Sequence, residues 1–181
     1  MLDLSRNYFE LFGMPVAFNV DIDLLSDRYH GLLDSLHPDR FAAASDQEKR
    51  LSMQASTFIN EALQTLKDPL TRARYLVRLH SGDQDPGTGT TRDGAFLMEQ
   101  MELREKLAGA KGQADPYAAV NQVMDHVGEY SGALCGRLES IFQDPTEKGI
   151  EEAREIVRKL QFLDKCRRDA ENLEAELDDL L

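Results

Sequence analysis

The sequence predicts an all-α protein built from two helical domains, for three reasons. Leucine, alanine, glutamate and arginine dominate the 181 residues, whereas aromatic residues make up 7% and tryptophan is absent. Apolar residues recur at three- and four-residue steps, with no strand-like alternation. Residues 82–91 contain no large apolar side chain and are rich in glycine and threonine. We therefore predict an N-terminal domain over residues 1–79, a linker over 80–91 and a C-terminal domain over 92–181.

Four helices are predicted in the N-terminal domain from local start and stop signals. Gly13 closes the first helix, and Ser45 or Asp46 can cap the third. Asp68 followed by Pro69 is a good start for the fourth. The second and third helices are amphipathic and are joined by a loop of about ten residues, so we expect them to pack as an antiparallel hairpin. The four helices cover about residues 7–12, 22–36, 46–67 and 70–79.

Three longer helices are predicted in the C-terminal domain. The first covers roughly residues 92–108. Asp115 begins the second, which runs to about Phe142, and Asp144 begins the third, which runs almost to Leu181. Their apolar side chains recur about every 3.5 residues, which is typical of coiled-coil-like packing. We therefore expect a three-helix bundle.

Three glycines interrupt the favourable composition of the middle helix. Gly128, Gly132 and Gly136 fall on every fourth position, and each lowers helix stability by roughly 1 kcal/mol relative to alanine. We expect either the close approach of another helix or a local bend there, and we assign the glycines no function.

Composition excludes several classes of function. The net charge of −12 argues against nucleic acid and against an anionic membrane surface as partners, because phosphate contacts need clustered lysine and arginine. The cysteines, Cys135 and Cys166, are far apart, and the four histidines show no metal-ligand spacing, so we predict no metal and no cofactor. No apolar run approaches a membrane span and no leader pattern is visible, so we expect a cytoplasmic protein.

The tripeptide His37-Pro38-Asp39 is the most informative local feature. Proline disfavours helical backbone in the residue before it, so the second helix should end at His37. The imidazole and the carboxylate then flank a stiff ring on an exposed loop. Taken alone, the tripeptide is more simply interpreted as a helix stop followed by solvated polar residues.

The sequence around this tripeptide resembles a J-domain. Residues 8–13, 29–36 and 59–69 match that family's pattern of a short helix followed by a hairpin with His-Pro-Asp in its turn. Residues 95–105 and 158–165 resemble the C-terminal domain of the HscB family, the J-proteins of iron–sulfur cluster assembly. The resemblance covers nearly the whole chain apart from the linker and the middle of the second domain.

The resemblance implies two partners. The J-domain would stimulate ATP hydrolysis by the DnaK-like chaperone HscA, and the C-terminal three-helix domain would deliver the scaffold protein IscU. The residues implied in HscA binding are His37, Pro38, Asp39, Arg28 and Arg40. The residues implied in IscU binding are Leu97, Met98, Met101, Glu102, Glu105 and Phe162.

Two departures from the family pattern are visible. J-domains usually present a basic face on the second helix, but here Arg28 stands beside Asp27 and Asp34, so electrostatic steering should be weak. The family also carries an acidic residue where we align Gly109, so that contact is expected to be lost.

The helical pattern independently favours a binding surface on the first helix of the C-terminal domain. Phe96 and Leu103 share one stripe with Leu107, whereas Met98 and Met101 share another arc with Leu97, bordered by Glu102 and Glu105. Exposed methionines beside acids make an adaptable surface, although a wide buried arc is the alternative.

Phe162 supplies a second indication of a binding surface. It falls nearly opposite the core stripe of the last helix, among charged residues. We interpret it either as an anchor for a partner or as a residue at an interface between domains.

Three functions compete. The leading hypothesis is a co-chaperone adaptor with no catalytic site of its own. The second is a general J-protein that serves a DnaK-type chaperone and unfolded clients. The third is a metal-dependent phosphohydrolase of helical fold, but the sequence lacks the paired histidine and aspartate spacing that this would need.

Overall fold

The computed structural model describes residues 5–35, 45–82, 89, 91 and 93–179. All regular secondary structure in these ranges is helical, which confirms the predicted fold class. His37, Pro38, Asp39 and Arg40 lie outside the described residues. Most of the predicted linker also lies outside them, so its limits remain a prediction. No helix in the described ranges is both long enough and apolar enough to cross a membrane.

Seven α-helices occur in the described ranges, and their limits agree closely with the predicted ones. The chain forms two compact units, Met1–Leu76 and Val77–Leu181. A short 3₁₀ helix, Ala110–Gly112, follows the fifth α-helix. The α-helices are α1 (Tyr8–Leu11), α2 (Ile22–Ser35), α3 (Asp46–Lys67), α4 (Pro69–Ser81), α5 (Gly94–Gly109), α6 (Pro116–Gln143) and α7 (Glu147–Asp178).

The core of the N-terminal unit is built around Tyr8 of α1. Its ring stacks on Tyr75 of α4 with centroids 4.4 Å apart, and it meets Phe58 of α3 edge-on at 5.4 Å. The Tyr8 hydroxyl donates to Oε1 of Glu61 at 2.9 Å, and the Tyr8 amide donates to the Tyr75 hydroxyl at 2.9 Å. Because a buried tyrosine needs a partner for its hydroxyl, this network fixes α1 against α3 and α4.

The C-terminal unit packs α6 along α7, with α5 contacting both helices. Each helix begins with a side-chain cap: Asp93 for α5, Asp115 for α6 and Thr146 for α7. These caps satisfy amide groups that the first helical turn leaves unpaired. The side chains that α6 and α7 bury follow the predicted stripes, including Val120, Val123, Val127, Leu134, Leu138, Ile156, Leu160 and Leu163.

The glycine stripe of α6 faces solvent. A Cβ built at Gly128, Gly132 or Gly136 meets no neighbouring heavy atom within 4 Å, the local backbone of α6 itself left aside. The expectation that another helix approaches closely there is therefore wrong. Helical spacing alone could not reveal this, because a stripe of small residues looks the same whether it faces a neighbour or water.

Candidate partner-binding surface on α5

Helix α5 carries apolar side chains on two opposite sides. Phe96 and Leu103 face the interior and are 1% and 2% exposed. Leu97, Met98 and Met101 leave the core and are 36%, 66% and 70% exposed. The predicted division of the helix into two stripes is confirmed, and the alternative of one wide buried arc is wrong.

The exposed side of α5 has an apolar centre and an acidic border. At about 100° per residue, Leu97, Met101, Met98 and their acidic neighbours cover less than half of the helix circumference. The carboxylates of Glu102 and Glu105 are both exposed. We call this set the α5 surface; it consists of Leu97, Met98, Met101, Glu102 and Glu105. Three large apolar side chains in contact with water on one short helix are typical of an interaction site.

The first turn of α5 is fixed to α7 by an ion pair. Asp93 accepts hydrogen bonds from the amides of Ala95 and Phe96 through Oδ1, at 3.1 and 3.2 Å. Its other oxygen, Oδ2, accepts from Nζ of Lys159 at 2.6 Å. The same ammonium lies 5.3 Å from the centroid of the Phe96 ring. Asp93 therefore caps α5 and holds it against α7 at the same time.

The ionisation of both groups reflects this contact. The hydrogen bond from Lys159, followed by that from the Phe96 amide, lowers the pKa of Asp93. Burial is the largest single influence on Lys159 and opposes its charge, but the hydrogen bond to Asp93 together with the nearby charges of Tyr130, Asp93 and Glu155 outweighs burial and raises the pKa of Lys159. Both groups are consequently ionised across the neutral pH range.

Contacts to α6 hold the other flank of α5. Nε2 of His126 lies 2.6 Å from Oε1 of Glu99, and the Phe96 ring meets Tyr130 edge-on at 5.8 Å. Because α5 is held on both flanks, its rotation about its own axis is fixed. The α5 surface is therefore presented by a rigid element, which lowers the entropy that binding must overcome.

Phe162 is placed differently from the sequence expectation. Its ring is half-buried and meets the buried Phe96 ring edge-on, with centroids 5.8 Å apart and planes at 87°. The guanidinium of Arg104 lies 5.3 Å from the Phe162 ring centroid. The side opposite the α6-facing stripe of α7 is covered by α5, which is why a ring predicted to point away from the core contacts a core residue. Phe162 consequently lies beside α5, next to the α5 surface.

On the N-terminal unit, the structure describes only Arg28 among the five residues implied in chaperone binding. Nη1 of Arg28 donates to the carbonyl oxygens of Phe12 and Gly13, at 2.9 and 3.3 Å. Gly13 has φ of +60°, and a Cβ there would lie 2.7 Å from the same nitrogen. Sequence reasoning missed this bond, although the left-handed turn at Gly13 follows from its glycine. The guanidinium of Arg28 therefore secures the end of α1, while the residue remains exposed on α2.

A metal site is not formed by the part of the chain that the structure describes. There, no three or more histidine, cysteine, aspartate or glutamate side chains converge well enough to hold a metal ion. The cysteines in these ranges, Cys135 and Cys166, form no disulfide bond with each other. The side chains at and beside the α5 surface are apolar, acidic or aromatic, and they are suited to recognition.

The N-terminal unit is helical, and its helices α2 and α3 flank a His-Pro-Asp sequence. Three packed helices that carry an exposed surface follow it. Together these features define a two-domain J-protein. Comparison with known proteins narrows this class. Residues 92–171 match the family model described as the HSCB C-terminal oligomerisation domain. A co-chaperone protein HscB homolog of Shewanella amazonensis is 39% identical over 94% of this chain and 98% of its own length.

Two solved structures agree with this comparison. Chaperone HscB from Vibrio cholerae aligns with a TM-score of 0.81 and 38% identity, covering 95% of this chain and 99% of that one. Human co-chaperone HscB aligns with a TM-score of 0.82 and 33% identity, covering 93% and 82%. The chain belongs to the HscB family of co-chaperones.

Proposed function

We propose that this chain is an adaptor that binds the iron–sulfur scaffold IscU and delivers it to the DnaK-like chaperone HscA, whose ATPase it stimulates. We place this activity in the cytoplasm. The adaptor has no catalytic site of its own. The N-terminal unit engages the chaperone, and the C-terminal unit engages the scaffold.

The observation that carries the proposal is the α5 surface. Leu97, Met98 and Met101 are exposed on a helix whose opposite side is buried, so they do not stabilise the fold in proportion to their size. Burial under a partner would recover that apolar free energy. Glu102 and Glu105 at the border favour a partner with basic groups around an apolar patch.

Phe162 is the sixth residue that we assign to this contact. Its ring is half-buried between Phe96 and Arg104. The remaining exposed part of the ring extends the apolar area beyond α5, and aromatic rings at such edges are frequent binding anchors.

The chaperone contact is assigned to His37, Pro38, Asp39 and Arg40, with help from Arg28. Asp39 can pair with an arginine of the partner, Pro38 fixes the turn, and His37 offers a directional hydrogen-bonding group. The loop would act on the chaperone's own hydrolytic machinery. Such an effect requires that the loop bind two chaperone states with different affinity.

One experiment separates the two contacts. HscA ATPase rates are measured with and without IscU for the wild-type chain, for two test variants and for one control variant. The wild-type chain should accelerate hydrolysis, and more so with IscU. His37→Gln should abolish the acceleration in both conditions, whereas Met101→Ala should keep the basal acceleration and lose the increment that IscU adds.

His30→Gln is the matched control, because His30 is an exposed histidine of α2 outside the loop. It should behave like the wild-type chain. Unchanged stimulation by His37→Gln would refute the role of the loop. Normal stimulation without any IscU increment, even for the wild-type chain, would point instead to a general J-protein with unfolded clients.

A further inference from the structure

The methionines of this chain are distributed unequally between interior and surface. Six are present in the sequence. Met14 is buried and Met124 is half-buried against the α6–α7 core. Met53 of α3, Met98 and Met101 are each about two-thirds or more exposed. Two of these three exposed thioethers lie on the α5 surface, one turn apart.

The thiols of the C-terminal unit are less accessible than these thioethers. Cys166 is buried, and that burial raises the pKa of its thiol, which disfavours the reactive thiolate. Cys135 is half-buried. An oxidant in solution therefore reaches the sulfur atoms of Met98 and Met101 before it reaches a cysteine of the same unit.

We propose that Met98 and Met101 are oxidation sites at which a peroxide switches off scaffold binding; this rests on the proposed function of the α5 surface. A thioether sulfur lone pair attacks one peroxide oxygen, the O–O bond breaks and an S–O bond forms. Sulfur loses two electrons to the peroxide, and the departing hydroxide takes the proton of the new S–OH group and leaves as water. The product is methionine sulfoxide, which cellular reductases convert back with thiols.

Oxidation changes the α5 surface at its centre. A sulfoxide oxygen is a strong hydrogen-bond acceptor that must lose its water when a partner covers it. The neighbouring carboxylates of Glu102 and Glu105 offer it no donor when ionised, and the guanidinium of the nearby Arg104 lies against the Phe162 ring. We expect scaffold affinity to fall at least tenfold, which corresponds to about 1.4 kcal/mol. Helix α5 itself should persist, because both side chains already contact water.

The experiment treats the full chain with hydrogen peroxide, removes the peroxide with catalase and then titrates IscU calorimetrically. Mass spectrometry of peptides follows each methionine. Met98 and Met101 should be oxidised well before Met14, and affinity should fall with their oxidation and return after treatment with a methionine sulfoxide reductase.

Two variants decide the outcome. The double variant Met98→Leu and Met101→Leu has no thioether on this surface, so its affinity for IscU, whatever its starting value, should be the same before and after peroxide. Met53→Leu removes an equally exposed methionine elsewhere, so it should remain sensitive. Equal loss of affinity in the double variant, or oxidised wild-type chain that binds normally, would overturn the switch. Failure of the untreated chain to bind would overturn the proposed function instead, and the switch with it.

Discussion

The solvent-facing sides of α5 and α6 belong to the same three-helix unit but are built in opposite ways. On α5, large apolar side chains stand in water beside carboxylates. On α6, the stripe of Gly128, Gly132 and Gly136 offers water no side chain at all. Neither feature stabilises the isolated chain: the apolar side chains of α5 gain little from burial, and the glycines of α6 lower stability through backbone entropy.

The two sides differ in what they can offer a partner. Apolar side chains on a rigid helix gain free energy when a partner covers them, so their exposure on α5 is suited to binding. Bare glycines offer a partner only backbone, and none of the described atoms packs against them. This difference supports the proposal that recognition takes place on α5, and it predicts that the glycine positions of α6 can be altered without loss of IscU binding.

The strongest test contrasts the two sides of α5 itself. Leu103→Ala removes a buried side chain, and we expect a loss of roughly 3 kcal/mol in the free energy of unfolding from lost burial and a residual cavity. Met101→Ala removes an exposed one and should change unfolding by less than about 0.5 kcal/mol. Urea denaturation followed by circular dichroism measures both. Similar losses in the two variants would show that Met101 is part of the core, and the α5 surface would then not be a free face.

Local chemistry explains why so much of this fold could be predicted from sequence. The capping box of Ser45 with Glu48 and the Asp115 cap before a proline act within one helical turn, so the starts of α3 and α6 fall where they were expected. The exposure of Met98 and Met101 also follows from a single helix, since helical periodicity assigns each residue to a side.

The errors all involve partners distant in sequence. Phe162 was placed on the correct flank of α7, but a helical wheel does not show that α5 covers that flank. The bond from Arg28 to the turn at Gly13 joins α2 to the end of α1. The glycine stripe likewise required knowledge of what lies opposite it. The side of a helix on which a residue lies follows from the local sequence. The element that covers that side is determined by tertiary packing.

A smaller effect tests the α6 side of the comparison. Gly132→Ala places a methyl group in open space on a helix, so the free energy of unfolding should rise by up to about 1 kcal/mol. Affinity for IscU, measured by calorimetric titration, should stay that of the wild-type chain. Gly82→Ala is a control with the opposite sign. Because Gly82 has φ of +73°, a side chain there is strained, and the free energy of unfolding should fall. Weakened IscU binding by Gly132→Ala would place the α6 stripe in an interface and end the distinction between the two sides.

The smallest expected effect concerns how α5 is held in place. Asp93→Asn keeps an acceptor for the amides of Ala95 and Phe96 but removes the negative charge that faces Lys159. Because the pKa of Asp93 is lowered in the folded chain, its charge stabilises the fold above the ordinary carboxyl value of about 4, and this contribution disappears as the pH falls through the lowered value. The variant should therefore be less stable than the wild-type chain at pH 7, and the two should converge once the pH falls below the lowered pKa of Asp93.

Asp115→Asn is the matched control for this pH dependence. Asp115 caps α6 by accepting from the amide of Ala118 and forms no ion pair among the described residues. Its variant should differ little from the wild-type chain at either pH, because asparagine and aspartate cap helices about equally well. If Asp93→Asn showed the same gap below that pKa as at pH 7, the charge of Asp93 would not be what holds α5 on α7. The fixed orientation of the α5 surface would then depend on the packing of Phe96 and Leu103 and on the contact between Glu99 and His126.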